Sequence, residues 1–249
     1  MTVKCISVCI PSYRGADRVG QLLNSMQSNE FAFDPYYEVI VSDDGSPAAD
    51  FEHLEDIFYK EYDFYFDRTL VHRKTNGGWT AAVRAAVAKA SGQYILLLDD
   101  DVLYPIGLLG VVRSLLAVDG VGVLSWRSLG DRPGQSREAH PGFIQPATSL
   151  AGYCMAFRRS LWDQLGGFDT RFRTYCGDSD FALRAMLSGH PSYRVWWPLI
   201  PHAEHRSFEE SPELGDRNAV AARDLEAFAK KWGCSSSEME ARALAGLVG

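Results

Sequence analysis

The carboxylates able to do chemistry in this chain fall in short clusters: Asp43-Asp44, Asp99-Asp100-Asp101, and Asp178 with Asp180. The middle cluster follows directly on an apolar run, Tyr94 to Leu98. Adjacent aspartates repel one another and have no structural use at the mouth of a sheet unless a cation or a set of donors holds them there. Two readings fit. One is a loop of caps for a helix opened by Pro105. The other is a set of oxygen ligands for a hard divalent ion, and it also explains why the apolar run stops where it does.

The elements that must position these acids alternate strand and helix. Tyr94 to Leu98 reads as a strand buried on both faces, as in a parallel sheet between helices. Before it, Cys5 to Ile10 is a strand broken at Pro11, and Val19, Leu22, Leu23 and Met26 recur at helical spacing. Tyr37 to Ser42 is a second strand that again ends in acids, followed by a helix marked by Phe51, Leu54, Ile57 and Phe58. Thr69 to Arg73 is a third strand, Asn76-Gly77-Gly78 a turn, and Thr80 to Ala90 an Ala-rich helix stopped by Gly92. Such strand, loop and helix units predict right-handed crossovers and a mostly parallel central sheet flanked by helices, an α/β fold with ligands beyond the carboxyl ends of its strands. After the triplet, Pro105 is expected at a first helical position, with Ile106, Leu109, Val112 and Leu116 buried. Val121 to Trp126, Tyr153 to Arg158 and Tyr193 to Trp197 are further strands, Ser160 to Leu165 and Asp178 to Ser188 further helices. Arg127 to Leu150 is expected to be a long loop, functional or disordered, and Arg217 to Leu247 two helices forming an exposed or partner-facing cover.

Composition narrows the classes. The chain has 249 residues, 46% of them hydrophobic and 23% charged, enough for one large α/β core. With 25 Lys and Arg against 32 Asp and Glu, the net charge of -7 offers no field for a polyanion, so nucleic acid is not an expected partner. No apolar stretch approaches the roughly 18 residues of a spanning helix, and no signal peptide is legible, so a cytoplasmic location is expected. Five cysteines without a CxxC pair fit free thiols better than a disulfide framework or a zinc site.

Six motifs in order resemble the inverting family 2 glycosyltransferases of the GT-A fold, the Rossmann-like fold of nucleotide-diphospho-sugar transferases. They are Pro11-Ser12-Tyr13, Asp43-Asp44-Gly45-Ser46, Asn76-Gly77-Gly78, Leu98-Asp99-Asp100-Asp101, Gly166-Gly167-Phe168-Asp169 and Gly177-Asp178-Ser179-Asp180 through Arg184. The resemblance spans roughly residues 4–207. It implies a nucleotide-binding half at about 1–102 and an acceptor-binding half at about 103–210, with 211–249 as a helical tail. It implies a donor that is a nucleotide-diphosphate sugar, UDP-linked by preference with dTDP or GDP as alternatives, and Mn2+ or Mg2+ to take the charge of the leaving diphosphate. By the same resemblance Asp101 ligates the metal, Asp99 is ligand or neighbour to it, Asp100 contacts the ribose, and His202 completes the site, with His205 as rival. Pro11 and Tyr13 would line the base, Asp44 would accept from its N3-H with Asp43 as neighbour, and Asn76, Gly78 and Arg84 would complete the nucleotide-sugar contacts.

An inverting transfer needs one general base at the acceptor hydroxyl. The family usually supplies it from a Glu-Asp pair at a helix start. Here Gly177 replaces the Glu and leaves Asp178 as base, or as a helix cap. Asp180 lies about 200° further around the helix and cannot face the same sugar. The acceptor implied is a hydroxyl of a sugar, a lipid-linked sugar or a small molecule. Polysaccharide, glycolipid and natural-product assembly all fit, as do peripheral association with the inner face of the membrane and pairing into a homodimer. Trp126, Trp196 and Trp197 are candidates for a platform under a sugar ring. The competing readings are a nucleotidyltransferase, which would be expected to carry a repeated-glycine phosphate loop that Pro11-Ser12-Tyr13-Arg14-Gly15 lacks, and a non-catalytic sugar-nucleotide-binding relative.

Overall fold

The structure is a computed structural model that describes residues 5–29, 37–61, 66–128, 144–147, 150–202, 211–235 and 238–239. Its first part alternates β1 (Ile6–Ser12), α1 (Ala16–Asn29), β2 (Tyr37–Asp43), α2 (Ala48–Asp56), β3 (Asp67–His72), α3 (Trp79–Val87) and β4 (Tyr94–Leu98). The second part adds α4 (Leu108–Leu116), β5 (Val123–Ser128), β6 (Ile144–Pro146), β7 (Cys154–Arg158), α5 (Arg159–Leu165), α6 (Gly177–Leu187), β8 (Tyr193–Ile200) and α7 (Arg217–Trp232).

The strands among the described residues form one eight-stranded sheet in the order β3-β2-β1-β4-β7-β5-β8-β6. Pairing is parallel from β3 through β4. Beyond β4 it is mixed, because β7 runs antiparallel to both β4 and β5 while β5 pairs parallel with β8. That reversal matters for the site. It puts Cys154 opposite Leu98, so the residues just before β7 arrive beside the acidic triplet, and the Asp99 amide donates to the Tyr153 carbonyl.

Side chains of β4 alternate between two cores. Tyr94, Leu96 and Leu98 face the layer holding α1 and α4. Ile95 and Leu97 face the layer holding α3, α5 and α6. A strand buried on both faces reads as an uninterrupted apolar run, which is what Tyr94 to Leu98 is.

Several elements differ from expectation. β1 continues through Pro11 to Ser12, pairing with Ser42 and Asp43 of β2. Pairing with β4 ends at Cys9, so Pro11 lies where one side of the strand has no ladder to lose. Pro105 does not open α4, which begins at Leu108 after Gly107 in the left-handed region, and Ile106 is exposed rather than buried. Trp126 is a core residue, not a platform. The segment 127–150 is not all loop: β5 runs to Ser128 and β6 pairs with the start of β8, while 129–143 and 148–149 lie outside the described residues.

Helix α7 is largely exposed, as expected of a cover, and anchors itself through Asp224 and Phe228. Phe228 packs with Phe172 and Leu183 in a third apolar cluster. Buried Asp224 accepts from the amides of Thr174 and Tyr175 at 2.8 and 2.9 Å. Lys231 and the Trp232 indole both reach Asp180. The helix thereby fixes the loop leading into α6. All five cysteines are free thiols. No helix among the described residues is long and apolar enough to cross a membrane.

Candidate active site

The carboxyl ends of β1, β2 and β4 meet at the point where strand order reverses, with β2 on one side of β1 and β4 on the other. A cavity of about 350 Å³ opens there, a size usual for ligand clefts. Of the residues singled out in the sequence, Pro11, Tyr13, Asp44, Asn76 and Gly78 line its first-half wall. Asp99, Asp100, Asp101, Asp178 and His202 line the rest.

Asp99, Asp101 and His202 each offer one ligand atom within 4.8 Å of the others. His202 is carried there by a bridge to Val102. Its Nε2 lies 3.1 Å from Asp101 Oδ1, and its ring stacks on Tyr153 at 4.3 Å. His205 is outside the described residues. Burial, then the neighbouring Asp101 charge, pushes the Asp99 carboxyl up, against the pull of His202 and the Trp79 hydrogen bond. A cation relieves that repulsion, and two carboxylates with one imidazole are a donor set that Mn2+ and Mg2+ accept.

Asp100 is held differently. Its Oδ2 accepts from the Ser12 hydroxyl at 2.6 Å, and the Arg18 guanidinium grips both oxygens, Nε to Oδ1 at 3.0 Å and NH2 to Oδ2 at 3.2 Å. The same guanidinium donates to the Tyr13 carbonyl. Asp100 thereby ties the first loop to the triplet while also lining the cavity. Arg18 and Asp100 are 4% and 5% exposed. Arg18→Met therefore strands a buried carboxylate and is expected to cost about 3–5 kcal/mol of stability. Urea unfolding would show it, and a loss below about 1 kcal/mol would mean that the pair is solvated after all.

Asp44 also faces inward to protein donors. It accepts from the Gly77 and Gly78 amides, the latter at 2.6 Å, and is ion-paired with Arg73. Asp44 clasps the second and third loops together and also lines the cavity. Gly78 makes that clasp fit: its φ of +87° suits glycine, and a Cβ would lie 2.4 Å from Arg173 Cγ.

Asp43 and Arg84 are engaged by other parts of the protein. Asp43 is not among the lining residues. It holds its own turn by accepting from the Gly45 and Ser46 amides and the Ser46 hydroxyl, and it pairs with His72 at 2.8 Å. Arg84 donates to the carbonyls of Gly166 and Phe168, joining α3 to the Gly166-Gly167 turn. A residue two turns into α3 points down the sheet face rather than at its edge.

Across the cavity, Asp178 stands in the first turn of α6 with its carboxylate at the wall. Enclosure by protein pushes its carboxyl up to about 6, despite hydrogen bonds from the amides of Ser179 and Gly152. Asp180, as helical geometry requires, faces away, buried against Arg184 at 2.8 Å.

The sequence reading missed Trp79, whose indole Nε1 donates to Asp99 Oδ1 at 2.6 Å. A lone bulky aromatic beside Gly77-Gly78, opening a helix of small residues, was the available signal. It also missed Arg173, which lines the cavity and donates to Asn76 Oδ1 at 2.6 Å, together with Thr174, Tyr175, Leu214 and Val220. Tyr13 is likewise tied to the tail, its hydroxyl donating to Glu213.

Comparison with known proteins agrees with this architecture. The mannosyltransferase PcManGT of Pyrobaculum calidifontis, solved with GDP-Man and Mn2+, superposes with a TM-score of 0.71 at 19% identity, over 99% of this chain and 70% of that one. TarS 1-349 of S. aureus gives 0.64 at 18% identity, over 94% and 73%. By sequence, the uncharacterized glycosyltransferase YwdF of Bacillus subtilis (strain 168) is 28% identical over 201 residues, 76% of this chain and 69% of that protein. The uncharacterized protein y4gI of Sinorhizobium fredii (strain NBRC 101917 / NGR234) is 25% identical over 236 residues, and this chain spans only 24% of its length. The family model for glycosyl transferase family 2 matches residues 7–166, from β1 to the end of α5. The fold is GT-A, and the chain belongs to glycosyl transferase family 2.

Proposed function

We propose that the chain is a metal-dependent inverting glycosyltransferase that moves a sugar from a nucleotide-diphosphate donor to an acceptor hydroxyl in one displacement. The observation that carries this reading is one cavity with a carboxylate-imidazole triad on one wall and a carboxylate of raised pKa on another. Asp101, Asp99 and His202 would hold Mn2+ or Mg2+. The ion would supply charge neutralisation for the departing diphosphate.

The chain's own groups do the rest. Pro11 and the half-buried ring of Tyr13 form the wall against which the base lies. Asp100, locked by Arg18 and Ser12, keeps that wall in register with the triplet. Asp178 accepts the proton of the attacking hydroxyl, and its raised pKa improves it as a base near neutral pH. A UDP-linked donor is favoured, with GDP- and dTDP-linked donors as alternatives. PcManGT has been solved with GDP-Man and TarS with UDP-GlcNAc, which supports a nucleotide-sugar donor without choosing between bases. Acceptors reached at a membrane surface, or across a homodimer, are compatible with this site.

The stereochemistry of the product tests the displacement. With an α-linked donor and a turned-over acceptor, proton NMR is expected to show a β-linked product. A retained configuration would rule out a single in-line displacement and would contradict the role given to Asp178.

A further inference from the structure

Trp79 lines the cavity between the acidic triplet and Asp178. In the proposed reaction, on which this inference rests, the anomeric carbon joins a diphosphate oxygen on the side of Asp99 and Asp101 to a hydroxyl on the side of Asp178. The Trp79 indole touches both sides. Its Nε1 is bonded to Asp99 Oδ1 at 2.6 Å. Its far edge lies against Gly152, whose amide is bonded to Asp178.

The ring has nowhere to retreat. It stacks on Phe168 at 5.3 Å and 21°, and Phe168 is itself wedged against Trp162 and Phe181 at 5.1 and 5.3 Å. Trp79 also lines the cavity. A Cβ on Gly152 would sit 2.7 Å from Trp79 Cη2, 2.8 Å from Cζ2 and 3.4 Å from Asp178 Oδ2. With Phe168 behind it, the indole could yield only toward the cavity.

We propose that Trp79 is the wall of the subsite for the transferred sugar, oriented by its bond to Asp99, and that Trp79 and Gly152 together set the size of the sugar accepted. An aromatic face of this kind suits the apolar C-H face of a pyranose.

The test compares a nucleotide sugar with its own nucleoside diphosphate, so that sugar contacts are read apart from base and phosphate contacts. Wild type, Gly152→Ala and Trp79→Phe are titrated calorimetrically with UDP, UDP-GlcNAc, GDP and GDP-mannose, each with Mn2+. In Gly152→Ala the ratio of nucleotide-sugar Kd to nucleoside-diphosphate Kd is expected to rise about tenfold, the scale of overpacking a tight contact. Trp79→Phe, which narrows the ring and removes its donor, should shift the same ratio even if Gly152→Ala fails to fold. A fall of both affinities together, with the ratio unchanged, would show that Trp79 acts only on Asp99 and would overturn the inference. Wild type that binds none of the four ligands, nor dTDP or dTDP-glucose titrated in the same way, would overturn the transferase reading itself, and this inference with it.

Discussion

Asp178→Asn is expected to lower kcat by about 10²- to 10⁴-fold, the usual worth of a positioned general base, while leaving donor affinity intact. The amide keeps the shape and, through its one oxygen, the Ser179 contact, but cannot take a proton. The same assignment fixes the sign of the pH dependence. Burial raises the carboxyl to about 6, so the base is ionised above that value and protonated below it. Wild-type activity should therefore fall as pH falls through about 6, approaching a tenfold loss per pH unit, and the acid limb should vanish in Asp178→Asn. An unchanged acid limb in the variant would assign the titration to another group. A variant with near wild-type kcat would remove Asp178 from the chemistry.

Asp101→Ala is expected to abolish the metal dependence of nucleotide binding. Its Oδ1 lies beside His202, and its carboxylate faces Asp99 across the candidate metal position. Losing one of two carboxylates also removes much of the repulsion that a cation relieves. The nucleoside-diphosphate Kd in Mn2+ should then match that in EDTA, and turnover should fall by about 10³-fold or more, the scale of several kcal/mol of lost charge stabilisation. His202→Ala should weaken Mn2+ in the same titration. If Asp101→Ala retained full Mn2+ dependence, the metal would have to sit elsewhere.

Much of this arrangement was legible in the sequence because it lies in contiguous segments. The run Tyr94 to Leu98 ending in Asp99 announced both a central strand and its ligand edge, and the acids after β2 announced a second loop at the same edge. Spacing alone also separated Asp178 from Asp180. What failed to show is long-range partnership. Nothing local to Asp100 says that Arg18, 82 residues earlier, neutralises it. Nothing local to Asp44 says that its oxygens go to Gly77, Gly78 and Arg73. Trp79 reads as a helix residue until the antiparallel entry of β7 brings Gly152 against it. The tail's inward contacts were hidden for the same reason. Its alternating charges suggest a solvated face, yet Asp224 and Lys231 are spent on Thr174, Tyr175, Asp169 and Asp180.

The most direct test of the central claim is calorimetric titration of the wild-type chain with UDP, GDP, dTDP and CDP, each with Mn2+ and again with EDTA. Tight binding of one nucleotide that disappears in EDTA is the predicted result, and it would place the leaving diphosphate at Asp99, Asp101 and His202. Binding of none of the four, or binding indifferent to EDTA, would contradict a metal-dependent nucleotide-sugar transferase.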